Sequence, residues 1–187
     1  MRPNVVVVGA SAGGLRALEK VLGSLPPGFD VPIVAVQHRS RESELFATVI
    51  QGRIALPVRE AEDKEALAAP GVYLAPPDYH LLLEPGGGLA LSTDEPVSFS
   101  RPSIDVLFES AADTYGPGVL AVLLTGANHD GARGLTRIRA AGGVAIVQDP
   151  ATAESPEMPA AAITRGAVDH VLSLGDIAGE LVRRSVS

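Results

Sequence analysis

The chain alternates short, wholly apolar runs with longer segments whose apolar residues recur every three to four positions. The first such run is the four valines at 5–8. They lie in the segment from Asn4 to Gly14, NVVVVGASAGG, and lead at once into a glycine-rich turn. An all-apolar run of β-branched residues is typical of a strand buried on both faces of a parallel sheet. The next segment, from Leu15 to Ser24, keeps its large apolar residues on one helical face and predicts a helix.

The same alternation continues to the end of the chain. It predicts further strands at 31–37, 56–59, 71–75, 119–124, 144–147 and 167–172. It predicts further helices at 39–53, 103–115 and 133–141, a short one after the loop 149–159, and a last one from 176. Segments 79–84 and 89–93 flank PGGG and predict a β-hairpin. The fold expected is α/β: a doubly wound, mainly parallel sheet with helices on both faces and a β-hairpin insertion.

Composition narrows the class of protein. The chain has 187 residues, 46% of them apolar, which suits one globular domain with a sizeable core. The net charge of -7 and an aromatic content of 4% argue against nucleic acid as a partner. No run of about 18 apolar residues occurs, so no membrane span is expected. The absence of cysteine excludes disulfides and thiolate metal sites and fits a cytoplasmic protein.

The glycine-rich turn after the first strand has two functional interpretations. Glycines at 9, 13 and 14 permit a sharp strand-to-helix turn whose free N–H groups face the carboxyl edge of the sheet. Such a turn either cradles the phosphates of a nucleotide or presents Ser11 as a nucleophile beside an oxyanion hole. The dinucleotide pattern G-x-G-x-x-G is not met, because Ser11 stands in the place of the second glycine. The turn alone leaves both interpretations, and a plain structural turn, open.

Polar residues follow three of the predicted strands. Ser11 follows the first, His38 follows the second, and Asp130 comes a few residues after the strand 119–124. Because ligands of such sheets sit beyond the carboxyl ends of the strands, these three side chains are candidates for one site. They are the parts of a hydrolytic triad, with His38 as the base and Asp130 as the group that orients it. Taken singly, His38 is more typical of a capping residue, and Asp130 of a turn or the N-cap of the next helix.

A resemblance to a known family is carried by five ordered blocks: GASAGG at 9–14, VQH at 36–38, YLAPPDYH at 73–80, RPSIDVLFESAA at 101–112 and LTGANHDGARGL at 124–135. Together these blocks resemble the catalytic domain of CheB, the protein-glutamate methylesterase of chemotaxis. The resemblance extends in order over nearly the whole chain. It implies that residues 1–187 form a single methylesterase catalytic domain, with no receiver domain in this sequence.

The resemblance implies a specific chemistry. The family hydrolyses γ-glutamyl methyl esters on the cytoplasmic helices of chemoreceptors, releases methanol, and also deamidates certain receptor glutamines. By position, Ser11 matches the family's nucleophile, His38 its general base and Asp130 its third triad member. The expected oxyanion donors are the backbone N–H groups of Ala12 and of the segment Gly126-Ala127. The family needs no cofactor and no metal, and no histidine spacing here is typical of a metal site.

The resemblance also has departures that affect regulation and the oxyanion hole. The family's full-length members carry a receiver domain that blocks the site, so we expect this chain to be unregulated or to be controlled by a regulator that acts in trans. The family's usual run Met-Gly-Asn-Asp is replaced by Ala127-Asn128-His129-Asp130, beside the expected oxyanion hole. We expect His129 to be a neutral surface residue.

A further departure lies at the rim of the expected site. After His38, the segment Arg39-Ser40-Arg41-Glu42 replaces an apolar, proline-containing one. Arg39 and Arg41 are therefore expected either to bind an acidic receptor helix or to form an ordinary solvated face.

Three classes of function remain after this reasoning. The first is a methylesterase or amidase that acts on a chemoreceptor or a similar signalling protein, which the intact triad favours. The second is an esterase of the same fold with a different ester substrate, which the changed rim favours. The third is a non-catalytic signalling module, which predicts that Ser11 does not react with a fluorophosphonate probe.

Overall fold

A computed structural model describes residues 2–39 and 45–186. In these residues the strands are β1 (Val5–Ala10), β2 (Ile33–Gln37), β3 (Val58–Glu60), β4 (Val72–Leu74), β5 (His80–Glu84), β6 (Gly88–Ser92), β7 (Val119–Leu123), β8 (Val144–Gln148) and β9 (His170–Leu172). Seven of them form one sheet in the order β3-β4-β2-β1-β7-β8-β9, and every neighbouring pair is parallel. Strands β5 and β6 pair antiparallel in a separate hairpin.

Helices cover both faces of the sheet. They are α1 (Gly14–Gly23), α2 (Phe46–Gln51), α3 (Ile104–Tyr115), α4 (Ala132–Ala140), α5 (Glu157–Thr164) and α6 (Ile177–Ser185). Side chains alternate along β1, so Val6 and Val8 lie in a core with α1, α2 and α6, whereas Val5 and Val7 lie in a core with α3, α4 and α5. No helix in the described part of the chain is long and apolar enough to cross a membrane.

The expected fold class is confirmed, and the differences are local. The second strand of the hairpin, expected at 89–93, is β6 and begins one residue closer to the turn. Of the strand expected at 167–172, the structure shows β9. The expected loop 149–159 ends earlier, because Glu157 already begins α5. Of the helix expected at 39–53 the structure shows α2; Arg39 lies outside any helix, and residues 40–44 lie outside the described residues.

The strand order predicts a ligand site at the carboxyl edge of the sheet. The chain starts at β1 in the middle, builds outward through β2, and later returns to the other side of β1 with β7. Loops that follow β1, β2 and β7 therefore meet beyond the carboxyl ends of three adjacent strands. Such a reversal of strand order opens a crevice where α/β sheets bind their ligands.

Helices α3 and α4 pack closely beside this crevice, and a glycine makes the approach possible. A Cβ added at Gly134 would lie 2.5 Å from the Cβ of Phe108 and 3.3 Å from the Cα of Asp105. Because the Asp105 atom belongs to backbone, the helices themselves would have to move apart to admit a methyl group.

We therefore expect Gly134→Ala to lower the free energy of unfolding by about 1–3 kcal/mol, through overpacking between α3 and α4. Gly179→Ala in α6 is the matched control, since a Cβ there meets nothing within 4 Å. It should be neutral or stabilise the protein by up to about 1 kcal/mol, as alanine is the better helix former. Urea unfolding of both variants checks this, and equal effects would contradict the close-contact explanation.

Candidate active site

The glycine-rich turn after β1 holds Ser11 at the carboxyl edge of the sheet. The N–H of Ser11 donates to the carbonyl of Thr125 at 2.9 Å, and its own carbonyl accepts from the N–H of Gly14 at 2.8 Å. Gly13 has a φ of 76°, a left-handed conformation that a side chain would strain. The turn thus leads directly from β1 into α1 and leaves the Ser11 side chain half-buried.

Gln37 at the end of β2 ties this turn to the next loop. Its Nε2 donates to the carbonyl oxygens of Ser11 and His38, each at 2.8 Å. The amide lies so close to α1 that a Cβ at Gly14 would stand 1.9 Å from Gln37 Oε1. Gln37 therefore fixes the spacing between the two backbones that carry the candidate nucleophile and base. Sequence reasoning treated it only as the last residue of a strand.

Ser11, His38 and Asp130, all predicted from the sequence, are brought into contact. Ser11 Oγ lies 3.2 Å from His38 Nδ1, and His38 Nε2 lies 2.8 Å from Asp130 Oδ2. Because an ionised carboxylate only accepts, Nε2 carries the ring proton, and the lone pair of Nδ1 faces the Ser11 hydroxyl. The arrangement can therefore move the hydroxyl proton onto the imidazole.

Asp130 is fully buried and is surrounded by donors. Oδ2 accepts from His38 Nε2 and from the N–H of Ile104 at 2.7 Å, while Oδ1 accepts from Ser103 Oγ and the N–H of Asp105, each at 2.9 Å. Burial opposes ionisation, but the hydrogen bonds from His38 and from the two backbone N–H groups outweigh it and lower the pKa of Asp130. Asp130 caps α3 rather than the helix that follows it.

The helix that follows Asp130 is capped instead by Asp105, which sequence reasoning did not single out. Asp105 Oδ1 accepts from the N–H groups of Gly131 and Gly134, at 2.9 and 2.7 Å. Burial raises its pKa, the N–H of Gly134 opposes that shift, and the charge of Asp130 adds to it. The two aspartates thus exchange caps between α3 and α4, and Ser103 is the N-cap residue of α3.

The expected oxyanion donors lie on both sides of Ser11. In the described residues, the backbone N–H groups of Ala12 and Ala127 have no recorded acceptor, and both residues are exposed. The N–H of Gly126 is committed to the carbonyl of Ser155 at 3.0 Å. A Cβ at Gly126 would lie 3.0 Å from Ser11 Cβ, so this loop runs directly beside the hydroxyl.

The expectation for the arginines after His38 needs a correction. The Arg39 side chain is only 4% exposed, binds Glu60 and the carbonyl of Ala75, and lies over the ring of Phe46 at 5.0 Å. Its guanidinium is therefore turned into the protein, neither offered to a substrate at the rim nor part of a solvated face. Arg41 lies outside the described residues.

A cavity of about 170 Å³ opens beside the imidazole. It is lined by His38, Arg39, Phe99, Ser100, Arg101 and Pro102. The Phe99 side chain is 101% exposed, and the backbone holds it there, since Ser98 and Phe99 have φ values of 52° and 61°. Paired hydrogen bonds between Val97 and Ser100, at 3.1 and 2.9 Å, close this turn. Nothing in the hydrophobic pattern of the sequence marked Phe99.

The other histidines of the site region differ in burial. His80 is buried; its Nδ1 accepts from the N–H of Ser103 at 3.2 Å and its Nε2 donates to the carbonyl of Glu95 at 3.1 Å. It therefore supports the N-terminus of α3. His129 is exposed, as a neutral surface residue would be.

Comparisons with known proteins agree with this geometry. A family model described as CheB methylesterase matches residues 6–181. A Leptospira interrogans protein assigned the name protein-glutamate methylesterase/protein-glutamine glutaminase is 46% identical over 184 residues, 98% of this chain and 95% of that protein. A relative of the same name from Anaeromyxobacter dehalogenans is 46% identical over 181 residues, 94% of this chain but only 52% of its own length.

A solved structure is similar over its full length. The crystal structure of the Thermotoga maritima CheB methylesterase catalytic domain superposes with a TM-score of 0.92 at 34% sequence identity. The match covers 98% of this chain and 99% of that one. Fold and sequence therefore point to the same family.

The lowered pKa of Asp130 gives a testable pH dependence. In the unfolded chain an aspartate titrates near about 3.9. Because the folded pKa is lower, the stability contributed by the Asp130 carboxylate is complete above that pH and is lost as the pH falls through the folded pKa. We expect Asp130→Asn to cost about 1–3 kcal/mol at neutral pH, and the cost to shrink in acid.

Urea unfolding of wild type and Asp130→Asn between neutral pH and strong acid measures this difference. The control is Asp113→Asn, whose exposed carboxylate pairs with exposed Arg137 and should matter by less than about 1 kcal/mol. A cost for Asp130→Asn that stays constant into strong acid would contradict the assignment of a stabilised carboxylate.

Proposed function

The chain belongs to the CheB methylesterase family, and on that premise we propose that it is a serine hydrolase that demethylates glutamate γ-methyl esters on chemoreceptors. The observation that carries the proposal is the contact series from Ser11 Oγ through His38 to Asp130, at the carboxyl ends of three adjacent strands. The relatives' second name supports deamidation of glutamine side chains by the same groups.

The first half of the reaction makes an acyl-enzyme. His38 Nδ1 takes the proton of Ser11 Oγ, and the oxygen attacks the carbonyl carbon of the ester. Negative charge then appears on the carbonyl oxygen, and the backbone N–H groups of Ala12 and Ala127 are the proposed donors that stabilise it. The Asp130 carboxylate stabilises the imidazolium through Nε2. As the intermediate collapses, methanol leaves with the proton that His38 returns.

The second half restores the enzyme. A water molecule gives its proton to His38 and attacks the acyl group on Ser11, and His38 then returns the proton to Ser11 Oγ. The product is a free glutamate, so each turnover adds one negative charge to the receptor. The partner is thus a methylated chemoreceptor or a similar signalling protein, and the reaction takes place in the cytoplasm, where the receptor's methylated helices lie.

The receptor helix is expected to extend over Phe99. A residue with a side chain costs roughly 1–2 kcal/mol of folding free energy in the left-handed region, and Ser98 and Phe99 both adopt it. The exposed Phe99 ring lies beside the His38 cavity. Aromatic side chains are frequent anchors of protein interfaces. Phe99 therefore replaces Arg39 as the proposed contact with the rest of the substrate, whereas a small ester would need only Ser11 and His38.

The first test of the function is methanol release from methylated chemoreceptor membranes. We expect wild type to release methanol and Ser11→Ala to lose at least about 10⁴-fold in rate, since the nucleophile is gone. Ser24→Ala is the control, because the Ser24 hydroxyl bonds only to the carbonyl of Lys20 at the end of α1. Release by wild type and Ser11→Ala alike would contradict the proposed nucleophile, and no release by wild type would contradict the substrate.

The substrate contact predicts a selective effect of Phe99→Ser. The kcat/KM for the methylated receptor should fall about 10-fold, mainly through KM, because an exposed aromatic anchor is lost. The kcat/KM for p-nitrophenyl acetate should not change. Val171→Ser, which removes a 46% exposed apolar side chain on the edge strand β9, should change neither value. Equal losses on both substrates would show that Phe99 supports the site rather than the receptor.

A further inference from the structure

The side-chain amide of Asn128 lies beside His38, in the loop that also carries Ala127. We propose that Asn128 Nδ2 donates a hydrogen bond to the oxyanion, in addition to the backbone N–H groups. This proposal rests on the proposed function, because it concerns the same acyl transfer at Ser11. It assigns a role to the loop in which this chain departs from the family's usual Met-Gly-Asn-Asp run, where a glycine stands at the position of Asn128.

The orientation of the amide is fixed by its oxygen. Asn128 Oδ1 accepts from the N–H of Asp130 at 3.1 Å. An N–H cannot donate to an NH₂ group, so the oxygen must occupy this position and Nδ2 must point the other way. It points to His38 Nδ1, at 3.5 Å, and that nitrogen is itself 3.2 Å from Ser11 Oγ. The NH₂ group and the Ser11 hydroxyl therefore both face the same nitrogen of His38.

The NH₂ group of Asn128 has only a long hydrogen bond before the reaction, and it gains a stronger acceptor when the oxyanion forms. In the resting enzyme Nδ1 has one lone pair, and the Ser11 hydroxyl lies nearer to it than the amide does. A contact of 3.5 Å is at the long limit of a hydrogen bond. Once Nδ1 has taken the proton of Ser11 it can no longer accept, so the amide is released just as negative charge forms on the substrate oxygen. An interaction that strengthens in the transition state accelerates the reaction.

Gln37 and Thr125, the other side-chain donors described next to Ser11, already donate to backbone carbonyls. Gln37 Nε2 donates to the carbonyls of Ser11 and His38, and the one hydroxyl proton of Thr125 faces the carbonyls of Ala12 at 2.9 Å and Ser155 at 3.2 Å. The N–H of Gly126 is likewise held by Ser155. Among the described residues, Asn128 is thus the side-chain amide near Ser11 whose N–H groups have no strong acceptor.

The test measures how fast Ser11 reacts with a fluorophosphonate probe, because the phosphoryl oxygen of the probe occupies the oxyanion hole and no ester substrate has to be identified. Asn128→Ala should slow this reaction and lower kcat for p-nitrophenyl acetate, each by about 100-fold, with little change in KM. His129→Ala, one residue along the same loop, is the matched control and should react like wild type. Thermal midpoints of all variants show that they fold.

Two further measurements separate a donor from a support for the Asp130 loop. Asn128→Asp keeps an oxygen that accepts from the N–H of Asp130 but loses the NH₂ group, so it should react no faster than Asn128→Ala. The downfield proton NMR signal of His38 Nε2, shared with Asp130, should be the same in Asn128→Ala as in wild type. A recovered rate in Asn128→Asp, or a displaced signal in Asn128→Ala, would overturn the donor role.

The same labelling experiment distinguishes failure of the Asn128 proposal from failure of the proposed function. If wild type and Asn128→Ala are labelled at the same rate, the Asn128 proposal is wrong and the serine hydrolase stands. If wild type is not labelled at all, both proposals are wrong.

Discussion

The exchange of carboxylates between α3 and α4 is the interaction on which the site depends. Asp130, from the loop before α4, accepts the N–H groups of Ile104 and Asp105 at the start of α3, and Asp105 accepts those of Gly131 and Gly134 at the start of α4. Each helix start is a positive partial charge that would otherwise be buried without an acceptor. Gly134 leaves the space for the helices to pack this closely, and each helix supplies the other's cap.

The same exchange separates the two acids chemically. Two buried carboxylates that feel each other's charge cannot both be ionised at low cost, and here the donors are unequally divided. Asp130 also accepts hydrogen bonds from His38 and the Ser103 hydroxyl, and its pKa is lowered. The pKa of Asp105 is raised first by burial and then by the charge of Asp130, against the hydrogen bond from the N–H of Gly134. The acid that faces the imidazole is therefore the one kept ionised, which is the state that holds the proton of His38 on Nε2.

Much of this could be predicted from the sequence, because the informative residues follow strands. The valine run before Ser11, the apolar strand before His38 and the strand 119–124 before Asp130 each mark a strand end, and parallel strands bring such ends together. What could not be predicted depends on partners that are distant along the chain. Arg39 looked like a rim cation, but its partner Glu60 is the last residue of β3, which lies two strands away from β2 in the sheet. Asp105 looked like an ordinary first-turn acid of a helix, since nothing local shows that α4 starts beside it.

The backbone around Ser11 is held by hydrogen bonds from residues outside the triad. Ser155 and Thr125 hold the N–H of Gly126 and the carbonyl of Ala12, so the backbone on both sides of Ser11 is fixed before any substrate arrives. Gln37 fixes the distance between Ser11 and His38 in the same way. Each of these bonds removes a donor that could have competed for the hydroxyl or for the substrate oxygen. Among the described residues this leaves the N–H groups of Ala12 and Ala127 and the Asn128 amide as the proposed oxyanion donors, and donors held in place before the reaction stabilise a developing charge most.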